Sequence, residues 1–213
     1  MENNMNENYE ILPNGVIKQK NIINKIKKYD LSYIEERYNK YGEKGPQMAG
    51  LRLSYLISNI NKKPESILDV GYGNGDFLKI CKNCIDKCYG NDISGYNLPE
   101  GVSFVENIDD KYYDVICFFD VLEHFEDINF IKNLKCSYIY ISLPWCHNFN
   151  EDWFISWKHR REDEHLWHFN DKSIVNFFNE MGYDLLVKSN IEDLIRIPCD
   201  KNENILTCIF KKR

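Results

Sequence analysis

The sequence predicts an α/β domain built on an open, mostly parallel sheet with helices on both faces. Three observations carry this. From residue 65 onward, short apolar stretches alternate with amphipathic ones, the pattern of strands separated by helices. Tyr113–Phe119 is almost wholly apolar, as a strand covered on both faces has to be. A glycine-rich turn, Gly71-Tyr72-Gly73-Asn74-Gly75, follows the first of these strands and precedes a helix.

In chain order, residues 1–8 are polar and read as disordered. Residues 16–62 read as helical. Ile22, Ile23, Ile26 and Tyr29 recur at helical spacing, as do Ile34, Tyr38 and Tyr41. Gly42–Pro46 reads as a break before a further helix with Leu53, Leu56, Ile57 and Ile60 on one face, and Pro64 ends it. Strands are expected at Ser66–Val70, Cys88–Asp92, Val102–Glu106, Tyr113–Phe119, Ser137–Leu143, Tyr183–Ser189 and Ile205–Lys211. Helices are expected at 76–86, 122–134 and 171–181, the last with Gly182 as its stop. Nothing helical separates the last two strands, so they should pair antiparallel at one edge. The chain thus divides into a helical N-terminal extension, 1–62, and an α/β domain, 63–213, with an insertion at 144–168.

Composition narrows the function classes. The chain has 213 residues, 43% hydrophobic and 28% charged, enough for one domain with a substantial core. A net charge of −6 disfavours a nucleic-acid partner, which usually meets a basic surface. No apolar run is long enough to span a bilayer, and the N-terminus has no signal-peptide pattern, so a cytoplasmic location is expected. Eight cysteines are too few for a secreted disulfide scaffold. Cys81, Cys84 and Cys88 have a spacing that suggests zinc, but Cys81 and Cys84 fall on an expected helix and no second ligand pair follows, so no metal is expected there.

The glycine turn carries the chemistry. Glycine permits positive φ and lets the backbone approach a ligand closely. The spacing is not the dinucleotide G-x-G-x-x-G, because the third glycine comes one residue early, and no G-x-x-x-x-G-K-[ST] is present. Asp92 follows at a strand end, 23 positions after Asp69, where a carboxylate can accept hydrogen bonds from both hydroxyls of a ribose. The fourth strand of this domain runs into Asp120-Val121-Leu122-Glu123-His124.

Together Ile67–Gly75, Asp92-Ile93 and Asp120–His124 resemble, in order and in strand context, the motifs of class I S-adenosylmethionine-dependent methyltransferases. The resemblance covers about residues 66–125. It implies a Rossmann-like seven-stranded sheet with an antiparallel last strand and S-adenosylmethionine as cofactor. It further implies a loop of Gly71, Tyr72, Gly73 and Gly75 around that cofactor, with Asp69 near its ammonium, Asp92 on the ribose and Ile93 on the adenine. Asn107 or Asp109 falls where the family contacts the adenine amine, and Asp120 borders the methyl group. Read from residues alone, Asp92 is also a turn former before Gly95, and Asp120 and Glu123 are also helix-start caps.

The acceptor side is expected in residues 144–168. All four tryptophans and four of the five histidines fall there, after the fifth strand of the domain. Ligands of open α/β sheets bind at the carboxyl ends of strands, and aromatic side chains with polar tips grip partly apolar ligands. Trp145, Trp157, Arg161, Glu164 and Trp167 are the acceptor-binding candidates, with packing of this connection as the alternative role. His124, His165 and His147, in that order, are the candidate bases for a hydroxyl or ammonium acceptor. The expected reaction is methyl transfer to an O or N atom of a small-molecule or glycan acceptor. An NAD-dependent oxidoreductase and a non-catalytic binding module are the rival classes.

Overall fold

A computed structural model describes residues 7–24, 42, 44–196 and 201–213. Seven strands form the main sheet: β3 (Ser66–Val70), β4 (Lys87–Asn91), β5 (Ser103–Phe104), β6 (Tyr113–Phe119), β7 (Cys136–Pro144), β9 (Tyr183–Ser189) and β10 (Ile205–Lys212). Their order is β5-β4-β3-β6-β7-β10-β9. Neighbours from β5 to β7 are parallel, whereas β10 is antiparallel to both β7 and β9. This is the Rossmann-like architecture the sequence predicts. The chain moves outward from β3 through β4 to β5, then returns to add β6 on the other side. A crevice therefore opens between the carboxyl ends of β3 and β6.

Residue alternation along the strands decides what lies on each face. Ile67, Val115, Cys117, Phe119, Tyr140 and Ile209 face α1 (Lys44–Ile60) and α2 (Asp76–Cys81) through Ala49, Leu53, Leu56, Phe77 and Leu78. Leu68, Val70, Ile116, Phe118, Ile139 and Ile141 face α3 (Ser173–Glu180) through Ile174, Phe177 and Phe178. Asp69 and Phe119 therefore share the α1 side, at the ends of β3 and β6.

The N-terminal region differs from expectation. Ile17–Gln19 is strand β2, not helix; it pairs antiparallel with β1 (Tyr9–Ile11) and with β8 (Trp167–His168) in a separate three-stranded sheet. Its partner in β8 is about 150 residues away, so no local window contains the interaction that fixes it. The expected helical stretch between residues 25 and 41 lies outside the described residues. The Gly42–Pro46 break is the start of α1, with Pro46 in the first turn, where a missing N–H costs nothing.

The expected helix 122–134 is two short 3-10 turns, Leu122–His124 and Asn129–Asn133. Asp127 Oδ1 accepts the Asn129 N–H at 2.9 Å, a local side-chain bond that competes with helix continuation. The expected helix 76–86 stops at Cys81. Among the described residues, no helix is long and apolar enough to cross a membrane.

Candidate functional site

The β3–α2 turn is built around positive φ. Gly71, Gly73 and Gly75 lie at φ 73°, 56° and 72°. Gly71 also sits against a wall: a Cβ there would meet Val121 Cγ2 at 2.3 Å. Its N–H donates to Asn91 O at 2.7 Å, which pins the turn to β4. Asp92 does two local jobs. Its Oδ2 accepts the Gly73 N–H at 2.9 Å and its Oδ1 accepts the Ser94 N–H at 2.7 Å. The turn-forming role is thus realised, and each oxygen keeps a further lone pair for a ligand.

Beneath the turn, Asp69 is 3% exposed, and its Oδ1 has no hydrogen-bond partner. Burial pushes its carboxyl up to about 7; nearby Arg52 opposes the shift and Asp92 adds to it. A buried carboxylate oxygen facing a cavity suits a cationic group such as an ammonium.

The cavity is about 330 Å³ and opens at the carboxyl ends of β3 and β6. Asp69, Gly71, Tyr72 and Asp120 line it, as do Arg52 of α1 and Phe119. Lys158, His159, Arg196 and Asn204 complete the lining. Asp120 holds φ 56°, rare for a non-glycine residue, directly after β6. It caps no helix: Val121 occupies that position and no side chain caps it. Its carboxylate instead accepts two bonds from Arg196, at 3.2 and 2.5 Å.

Glu192, fully buried, ties Arg196 to α1. It accepts from Arg52 at 2.7 and 3.0 Å and pairs with Arg196 at 2.8 Å. Burial alone would raise its carboxyl; Arg52 and Arg196 outweigh that and hold it below its ordinary value. Arg52 also lies 4.0 Å over the Phe119 ring. The site thus contains an ion network whose parts come from α1, the end of β6 and the 191–196 segment.

The other sequence candidates lie outside the cavity lining. Ile93 is 83% exposed and Asn107 is exposed, both on the β4–β5 side. Trp167 is buried and donates its Nε1–H to Phe125 O at 2.7 Å. Trp157 stacks on Trp153, and Trp145 stacks on His147. Arg161 pairs with Glu164 at 2.9 Å. His147 Nε2 bonds Glu203 O at 2.8 Å. His124 and His165 meet edge to face with ring centroids 4.6 Å apart. His165 is buried, and burial together with His124 lowers its pKa to about 2.

The histidine that lines the cavity is His159, which was not among the expected bases His124, His165 and His147. Its Nε2 bonds Asn204 Oδ1 at 3.0 Å. Because that oxygen accepts, Nε2 carries the proton and Nδ1 keeps a lone pair. Burial lowers its pKa to about 4, with the Asn204 bond partly opposing, so it is neutral at pH 7. Arg52 was equally hidden, because a lone cation on an amphipathic helix carries no sequence signal.

A family described as "Methyltransferase domain" matches residues 38–188. No match is found among curated proteins. Among solved structures, the chain is similar to magnesium protoporphyrin IX methyltransferase (ChlM) from Synechocystis PCC 6803 with bound SAH. The two share 14% identity over 87% of this chain and 96% of that one, with a TM-score of 0.61. It is also similar to the plantazolicin methyltransferase BpumL, in complex with a desmethylPZN analog and SAH. There the identity is 17% over 85% and 90% of the two chains, with a TM-score of 0.54.

Proposed function

The chain belongs to the methyltransferase-domain family and is an S-adenosylmethionine-dependent methyltransferase, and we propose that its acceptor is a small molecule or carbohydrate-like compound, methylated on O or N in the cavity between Asp69 and His159. The observation that carries this reading is the cavity's mixed lining. A glycine turn with a buried carboxylate meets the polar side chains of Lys158, His159 and Asn204 around one space.

The residues present fit the cofactor. Gly71 leaves no room for a side chain, so backbone forms that surface, and the partnerless Asp69 Oδ1 is complementary to an ammonium. Asp92 would hold the ribose hydroxyls, with Ile93 over the adenine and Asn107 at its amine. When bound, the cofactor supplies an electrophilic methyl group. The chain's own task is to orient the acceptor in line and remove its proton. A hydroxyl oxygen becomes strongly acidic as the methyl arrives, so a weakly basic group suffices to take its proton, whereas an amine must already be in its neutral form to offer the lone pair that attacks. His159 Nδ1 is the lone pair at the cavity that takes the proton. The aromatic connection at Trp145–Trp157 backs the wall that carries His159.

The acceptor is tested by following S-adenosylhomocysteine formation with a panel of nucleotide sugars, glycans, small amines and oligonucleotides. Turnover with a sugar or small-molecule arm supports the reading, and turnover with oligonucleotides alone overturns it. Asp92→Ala should weaken cofactor binding by about 2–4 kcal/mol, or roughly 30- to 700-fold, through two lost charge-assisted bonds. Unchanged affinity in calorimetry would remove Asp92 from the ribose site.

A pH dependence follows from Asp69. Its folded pKa, about 7, lies above the unfolded carboxylate value, so the folded chain holds this proton more tightly. Stability from this group falls as pH rises from about 4 towards 7. Cofactor binding runs the other way, because an ammonium favours ionised Asp69. Affinity should therefore rise between about pH 5.5 and 7, by at most about tenfold per pH unit. Dissociation constants across that range should lose the slope in Asp69→Asn; an identical slope in the variant would assign it to another group.

A further inference from the structure

We infer that Glu123, His124 and His165 form a binding site for one divalent transition-metal ion, behind the cavity wall. Their ligand-capable atoms all lie within 4.8 Å of one another. Glu123 Oε1 and His124 Nε2 are 3.9 Å apart. In tetrahedral geometry, metal–ligand bonds of about 2.0–2.2 Å place ligand atoms about 3.3–3.6 Å apart, so the cluster closes on an ion by drawing in by roughly 1 Å.

The hydrogen bonds around the two imidazoles point to a ligand. His124 Nδ1 bonds Glu164 O at 2.7 Å, and His165 Nδ1 bonds His159 O at 2.8 Å. A carbonyl oxygen only accepts, so Nδ1 carries a proton on both rings and Nε2 is the nitrogen through which each ring would bind an ion. This is the outer-shell arrangement that orients metal-bound histidines: a backbone carbonyl fixes the tautomer and the ring plane. The rings meet at 85°, so they do not stack, and Glu123 adds a carboxylate from a side chain 2% exposed. Two imidazole nitrogens and one carboxylate oxygen suit zinc, cobalt, manganese or ferrous iron, and leave coordination positions open.

The site joins two parts of the fold. Glu123 and His124 follow β6 directly, whereas His165 belongs to the connection before β8. Hydrogen bonds already hold these segments in register, among them Leu166 N–H to Glu123 O at 2.7 Å and Trp167 Nε1–H to Phe125 O at 2.7 Å. A bound ion would clamp the 159–168 segment, and with it His159, against the end of β6. The inference does not rest on the identity of the acceptor. Cofactor affinity of the same metal-free protein, measured separately, distinguishes failure of the metal site from failure of the methyltransferase assignment.

The test uses the full chain, stripped with a chelator and titrated with Co²⁺, Zn²⁺, Mn²⁺ and Mg²⁺. The expected result is one equivalent of Co²⁺ or Zn²⁺ bound, with weaker binding of Mg²⁺. At saturation near 100 times Kd, Tm should rise by about 5–10 °C. The Nε2 resonances of two histidines should shift in ¹⁵N spectra while their Nδ1 protons remain. His165→Ala and Glu123→Gln should each weaken binding at least about tenfold. The histidine spectra of the unaltered protein keep the test valid if a variant does not fold. Absence of binding, binding without a histidine Nε2 shift, or a Co²⁺ spectrum with thiolate charge-transfer bands would each overturn the site.

Discussion

Gly71→Val is expected to abolish cofactor binding, raising Kd by more than about 100-fold. Two independent costs meet at this position. At φ 73° a β-branched residue is held in the left-handed region, which disfavours ordinary residues by about 1–2 kcal/mol and β-branched ones by more. The new Cβ would also lie 2.3 Å from Val121 Cγ2 and 3.2 Å from Cγ1, and valine has little rotamer freedom with which to yield. The turn cannot rotate away without losing the Gly71 N–H to Asn91 O bond, which joins it to β4. The overlap must therefore displace either the loop or the residues that follow β6, and both border the cavity. Gly71→Ala combined with Val121→Ala should recover part of the affinity lost in Gly71→Ala, because it removes the overlap and leaves the φ cost. Calorimetry with S-adenosylmethionine on the three proteins checks this, and wild-type affinity in Gly71→Val would refute the loop geometry.

Glu192→Ala should have the largest effect on stability. The carboxylate is fully buried and bonds two guanidiniums that are themselves mostly buried. Removing one member of a buried ion network costs about 3–5 kcal/mol, because the charges left behind keep their desolvation penalty. That is a large share of the roughly 5–15 kcal/mol that holds a domain folded. For a chain of this length it corresponds to a fall in Tm of about 6–20 °C. Glu192→Gln keeps the volume and removes the charge, so most of the loss should persist in it; near wild-type melting would show that the network is not stabilising. The acid limb should change as well. A carboxyl held below its ordinary value contributes stability that is lost as pH falls through its folded pKa, so the wild type should lose more stability on acidification than Glu192→Gln.

Much of the frame was legible in the sequence because its signals are local. Tyr113–Phe119 and Tyr183–Ser189 coincide with their expected bounds, since a two-faced buried strand and a strand bounded by turns carry their signals within themselves. The glycine turn was legible for the same reason, as its spacing is a backbone requirement written in residue type. Asp69, Gly71, Tyr72 and Asp120 indeed come together around one cavity. The 144–168 connection was less legible. Its aromatic residues and histidines stood out in the sequence, yet most of these rings pack on one another, and Lys158 and His159 are what line the cavity.

By itself, the sequence determined the α/β class, the parallel sheet with its antiparallel edge, and the turn between β3 and α2. Each follows from periodicity or from a residue's own backbone limits. Only the tertiary structure decided that Ile17–Gln19 is a strand, that Asp120 turns to Arg196 instead of capping a helix, and that Arg52, Glu192 and Arg196 form one buried network. It also decided that His124 and His165 face each other while His159 faces the cavity. The physical reason is common to all of these. A strand's partner, a buried charge's counter-ion and an imidazole's tautomer are set by groups distant in sequence, and no local pattern records them.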